Sequence, residues 1–212
     1  WCIAAVPGKA WAKKMFPGVR TSVAMEKLWE AILYTVRMTK SLGGEAQDGI
    51  EAWEKHNADM CAKCDYLNSL GIVSLEYHAS NGTDFTVGMM ENGLFCGALE
   101  HTMSGEAFNP NMPTEEVFAT PKRGVAEGIV YSTKPLSYQG QIIDNFWIRF
   151  ENGKAVDSGA EVGEELLKTM LSMDEGAAYL GECALVPESS PIAQSGLLFY
   201  NTLFDENAAC HL

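Results

Sequence analysis

The stretch Leu67-Asn68-Ser69-Leu70-Gly71-Ile72-Val73-Ser74-Leu75-Glu76-Tyr77 decides the fold, because the spacing of apolar residues changes character at Gly71. Before it, Ile50, Trp53, Met60, Cys61, Cys64 and Leu67 recur at the steps of one helical face, which predicts a helix from about Gly49 to Leu70 with Gly71 as its stop. After it come short β-rich runs: Ile72 to Tyr77, Phe85 to Met89, Leu94 to Leu99, Gly128 to Ser132 and Ile142 to Phe150. Alternation is clearest at Phe146, Ile148 and Phe150, and Asn152-Gly153 is the dipeptide that folds such a strand back, here onto Ala155-Val156.

Moving outward, Ile3-Ala4-Ala5-Val6 before Pro7-Gly8 reads as a short buried strand ending in a turn. From Thr21 to about Leu42, Met25, Leu28, Trp29, Ile32, Leu33 and Val36 define a second helix, with Thr21 or Ser22 as N-cap and Gly43-Gly44 as the stop. A third, about Glu161 to Ser172, buries Val162, Leu166, Leu167 and Met170. The expected class is therefore α/β (α+β), with a boundary near residue 72 between an α/β part, 1–72, and a β-rich part, 73–212.

The 212 residues suffice for one or two domains with a sizeable core. A formal net charge of −13 argues against a nucleic-acid partner, whose phosphates such a surface repels, and fits cations better. Most of these carboxylates simply solvate the surface. No apolar run approaches the roughly 20 residues that span a bilayer, so no membrane span is expected. Six cysteines lack the dense spacing of a disulfide framework, which points to a reducing, cytoplasmic setting. Cys61-Ala62-Lys63-Cys64 has no second pair and reads as helical core, and Cys210 reads as a packed small hydrophobe.

Three islands carry the candidate chemistry: Asn111-Met112-Pro113-Thr114-Glu115-Glu116-Val117-Phe118, Leu180-Gly181-Glu182-Cys183-Ala184-Leu185-Val186-Pro187 and Phe204-Asp205-Glu206-Asn207-Ala208-Ala209-Cys210-His211. Carboxylate and imidazole are the donors that zinc, cobalt and manganese accept in hydrolytic sites. Glu182 stands in an apolar run, where a charge needs a partner or a metal. Glu115 and Glu116 have an ordinary alternative, the first turn of a helix capped by Thr114. His56, His78 and His101 have no neighbours at ligand spacing and read as surface or satisfied core residues. Asn81-Gly82-Thr83 reads as a turn, and the HExxH, dinucleotide, Walker and nucleophile-elbow motifs are absent.

The three islands, with Tyr200-Asn201-Thr202-Leu203 leading into the last, resemble the thermophilic metallo-aminopeptidase family of the aminopeptidase T and aminopeptidase S type; Trp1 to Pro7 and Gly82 to Gly88 extend the likeness more weakly. The resemblance implies that Glu116, Glu182 and His211 are metal ligands and that Glu115 is a general base or a residue that orients the ligands. It implies two divalent ions (zinc, cobalt or manganese), peptide substrates with a free amino terminus, and a homodimer. Residues 1–72 would be the end of an α/β amino-terminal domain and 73–212 part of the catalytic domain. The family's remaining ligands, a Tyr soon after the His and a later His-x-Asp pair, have no counterpart here, so the chain reads as an internal fragment expected to be inactive alone. A noncatalytic α/β binding or assembly module with structural acidic islands is the competing expectation.

Overall fold

Apolar residues at three- and four-residue steps make the helices, and their seats settle where each helix stops. The computed structural model describes residues 1–212. It comprises two compact units, each built from several chain segments: Trp1–Tyr66, Cys96–Val117 and Leu185–His211 form the first, and Leu67–Phe95 with Phe118–Ala184 form the second.

In the first unit, α1 (Lys9–Met15) and α2 (Thr21–Thr35) place Ala12, Ala24, Leu28, Ala31 and Ile32 in a core closed by Ile192, Phe199 and Phe204. Phe199 and Phe204 stack with ring centroids 4.7 Å apart. Burying each such large side chain contributes about 1.5–3 kcal/mol. Nothing in the pattern announces α1, since Pro7-Gly8 reads as the turn after a strand; Gly8 is instead its N-cap. That first strand is only Ile3–Ala4, it pairs with Asn111–Met112, and Ile3 is exposed rather than buried because two residues with one neighbouring strand cannot be covered.

Helix α2 begins after Arg20, not at a Thr21 or Ser22 cap, and stops well short of Leu42. Arg37 turns left-handed, with φ 60°, and the N–H of Met38 reaches back 2.8 Å to the Leu33 carbonyl. Gln47 Nε2 then donates to the Arg37 carbonyl at 2.8 Å and holds the returning loop. Helix α3 (Gly49–Ser69) matches its expected span closely, opened by Asp48, whose Oδ1 accepts the N–H of Ile50 at 2.9 Å and of Glu51 at 3.2 Å. Trp53, His56, Met60 and Cys64 form its buried stripe, while Ile50 in the first turn is exposed.

The second unit is a twisted antiparallel sheet. Its strands run in spatial order Lys154–Val162, Gln141–Glu151, Pro121–Tyr131, Asp84–Met89, Ser74–His78, with Leu136–Tyr138 added to Gln141–Glu151. The Asn152-Gly153 hairpin forms as expected, both residues taking positive φ (50° and 78°). Its second strand continues through Val162, which is exposed, so α4 (Glu164–Leu171) starts later than the spacing suggested and buries Leu167. Phe85, Val87, Ile143 and Phe150 lie in the unit's interior, with the rings of Phe85 and Phe150 5.3 Å apart. Leu94 to Leu99, expected as a strand, is irregular, and Ala98 within it has φ 62°. Asn81 Oδ1 accepts the Thr83 N–H at 3.1 Å, which makes Asn81-Gly82-Thr83 the turn it was read as.

Candidate metal centre

Between the strands Asn111–Met112 and Val117–Ala119 the chain bends at Pro113 and residues 114–116 are irregular, so the alternative of a helix start at Glu115-Glu116 does not hold. The Met112–Pro113 peptide is cis. Backbone groups that a helix would have satisfied internally are met by side chains from far along the chain. Asn207 Oδ1 accepts the N–H of Glu115 at 2.7 Å, and His56 Nε2 lies 2.8 Å from the carbonyl of Thr114. A carbonyl only accepts, so His56 Nε2 is the donor. Gly97 sits against this segment so tightly that a Cβ there would stand 2.6 Å from the Glu116 carbonyl oxygen.

Glu115 is 2% exposed, and Arg37 Nη2 donates to both of its carboxylate oxygens at 2.7 Å. His56 Nε2 lies 3.8 Å from the same carboxylate. Burial pushes the Glu115 carboxyl up to about 7 against the opposing pull of Arg37 and Lys63. The same burial, with Arg37 close by, holds His56 down at about 4, so its ring is neutral at physiological pH.

Glu116, also buried, has its Oε2 2.9 Å from His211 Nε2. The approach is close but off the direction of a hydrogen bond. At the far side of the ring, His211 Nδ1 lies 3.0 Å from the Ala209 carbonyl, which fixes the proton of a neutral imidazole on Nδ1. In that form Nε2 turns a lone pair toward a carboxylate oxygen, and two acceptors would face each other. Such a pair is stable only with a cation between them, a proton or a metal ion, and a backbone carbonyl on the distal nitrogen is how ligating histidines are usually oriented. The donor set therefore fits a divalent metal.

Glu182 is half-buried immediately before the strand Cys183–Leu185 and belongs to the second unit. The apolar run around it is genuine, with Cys183 and Ala184 fully buried. The structure forms no group of three or more His, Cys, Asp and Glu side chains arranged to hold a metal, and Glu116 with His211 is a two-donor pair. An open groove of about 720 Å³ in the second unit, lined by Tyr131, Trp147 and Glu161 among others, contains none of the designated residues.

Two residues of this constellation, Arg37 and Asn207, are absent from the sequence reading. Asn207 lies inside the third island and its proximity to His211 was a usable signal; Arg37 sits in an ordinary amphipathic pattern and had none. His56 proves to be a satisfied buried histidine, and His78 and His101 are exposed. No disulfide joins any of the six cysteines. Burial, then the neighbouring Cys61 and Cys96, pushes the Cys64 thiol up to about 11, which makes it inert. Cys210 is exposed, contrary to the packed position expected, because its sulfur lies at the rim where it approaches the N–H of Val186 at 3.4 Å.

The thermophilic metalloprotease (M29) family model matches residues 1–212. The chain belongs to that family. It is 45% identical over its whole length to aminopeptidase T of Thermus aquaticus and 46% identical to aminopeptidase 2 of Geobacillus stearothermophilus, covering 50% of each. The solved structure of wild-type AmpT from Thermus thermophilus superposes with a TM-score of 0.88 at 43% identity, over 99% of this chain and 50% of that one. The chain thus spans about half the length of the curated relatives it matches.

Proposed function

We propose that the whole protein is a metal-dependent aminopeptidase that hydrolyses the amino-terminal bond of peptides, with Glu116, Glu182 and His211 as metal ligands at a dinuclear site. The observation that carries this is the facing pair of Glu116 Oε2 and His211 Nε2, 2.9 Å apart, in a member of a metalloprotease family whose relatives are named aminopeptidases. Divalent ions such as zinc, cobalt or manganese would supply Lewis acidity to the scissile carbonyl and acidify the attacking water. Glu116 would supply one negative charge and His211 a neutral nitrogen donor to the ion, and the Ala209 carbonyl would keep His211 from turning away. Of the two roles expected for Glu115, proton acceptor and orienting residue, the engagement of both its oxygens by Arg37 supports the orienting one. A carboxylate in the pocket would pair with the substrate's free α-amino group, which selects the chain end over internal bonds.

Family membership also supports a homodimer, with residues 1–72 as the close of an amino-terminal domain and 73–212 as catalytic-domain sequence. Evolutionary pieces of a longer protein need not coincide with the compact units of this chain. Six cysteines with no disulfide among them favour a reducing, cytoplasmic location. The test is turnover of free and N-acetylated leucyl substrates by the whole gene product, before and after prolonged chelation and after metal is restored. The expected result is chelator-sensitive cleavage of the free substrate alone; equal cleavage of both, or indifference to chelation, refutes the proposal.

A further inference from the structure

We infer that Arg37 is a positioning residue for metal binding: through Glu115 it fixes the chain that presents Glu116 to His211. The inference rests on the metalloprotease reading above and deepens it. Arg37 Nη2 grips both oxygens of Glu115 at 2.7 Å, while Asn207 takes the Glu115 N–H at 2.7 Å. Glu115 is thereby pinned at its side chain and its backbone, and the next residue along the chain is Glu116. The planar peptide between them leaves only the rotations on either side of it, and the close approach of Gly97 to the Glu116 carbonyl restricts these.

The arrangement is costly, and the costs do not look like those of an element kept for stability alone. Arg37 is held at φ 60°, a left-handed conformation that strains an arginine. Its Nε is buried with no hydrogen-bond partner. A carboxylate 2% exposed must shed its hydration, and apolar side chains of similar volume commonly stabilise such a site as well as an ion pair does. What apolar packing cannot provide is a carboxylate fixed in direction. The supports of Arg37 fit that reading: Gln47 Nε2 bonds its carbonyl at 2.8 Å, and Trp53 Nε1 bonds the carbonyl of the preceding Val36 at 2.8 Å.

The experiment measures cobalt(II) binding to the whole gene product by equilibrium dialysis, together with the cobalt d–d spectrum and the thermal midpoint. Wild type is compared with Arg37→Met, Arg37→Lys, Glu115→Gln, the Arg37→Met/Glu115→Gln double variant, and Leu28→Ala as a destabilised control in the apolar core of the first unit. Loss of a group that orients a ligand weakens metal binding about 10- to 100-fold. That weakening and an altered cobalt spectrum are expected for Arg37→Met, with Arg37→Lys intermediate and the double variant no worse than Arg37→Met. Leu28→Ala should lose thermal stability with its metal affinity intact. Unchanged affinity in Arg37→Met, or an equal loss in Leu28→Ala, overturns the inference and leaves Arg37 a stabilising residue. If Arg37→Met does not fold, Arg37→Lys decides, and wild-type affinity there overturns it. A wild-type protein that binds no cobalt would refute the metalloprotease reading itself, an outcome distinct from the others.

Discussion

At Asn152-Gly153 the chain is held mainly by backbone pairing, Glu151 with Lys154, Phe150 with Ala155 and the Gly153 N–H on the Ala126 carbonyl, while the Asn152 N–H goes to the Glu127 carboxylate. Around Thr114–Glu116 it does the reverse: the Glu115 N–H and the Thr114 carbonyl are met by the side chains of Asn207 and His56, and the Glu115 carboxylate by Arg37. A ladder satisfies polar groups with local, repeating geometry that tolerates many side chains. The acidic segment uses specific side chains to hold an irregular backbone still, and its carboxylates end up aimed. The regular region carries the architecture; the irregular one carries the candidate chemistry.

The sharpest way to break this contrast is Glu116→Gln in the whole protein. Metal affinity and leucyl-substrate turnover should both be abolished while circular dichroism stays unchanged; an active variant would show that the aimed carboxylate is not the one that matters. Next in size, Glu115→Ala leaves the Arg37 guanidinium without its counter-charge and should cost about 3–5 kcal/mol of unfolding free energy in urea. A loss within 0.5 kcal/mol, roughly that of an ordinary surface change, would mean that the segment is held by its neighbours alone.

On the hairpin side, Gly153→Ala should cost about 1–3 kcal/mol without changing metal affinity. Gly153 has φ 78°, and an added Cβ would lie 2.4 Å from backbone atoms of Gly124. Weakened metal binding in this variant would erase the distinction between the two regions.

The smallest effect is in pH. His56 is held at about 4, below its ordinary 6.5, so its neutral ring contributes stability that is whole above about pH 6.5 and is lost as pH falls through about 4. Glu115, pushed up to about 7, acts in the opposite sense: its contribution is whole below its ordinary 4.5 and is lost as pH rises through about 7. The two oppose each other between these limits. Imidazole NMR should therefore find His56 still neutral at pH 5.5, where a solvent-exposed histidine is mostly protonated; normal titration would show that the pocket admits water.

The same contrast explains what could be read in advance. α3 was legible almost to the residue because Trp53, Met60 and Cys64 repeat on one face and Gly71 ends it; the Asn152-Gly153 hairpin was legible because only such dipeptides adopt two positive φ values cheaply. Leu94 to Leu99 looked equally apolar and is no strand, since Gly97 must press against the Glu116 carbonyl and Ala98 turns left-handed. Glu116 and His211 stood out by residue type and family likeness, whereas Arg37 did not, because the left-handed turn that aims it depends on a glutamine and a tryptophan further along the chain.

The bond from Asn207 to Glu115 links positions 92 apart in the chain. Loops of that length close late, after local helices and hairpins have formed. A ribosome extruding this protein therefore releases Glu116 long before His211 exists to face it, and during that interval the nascent Glu116 lacks the imidazole it faces in the fold. A centre built on Glu116 and His211 would come into being only as the first unit closes, so metal loading would report on completed folding.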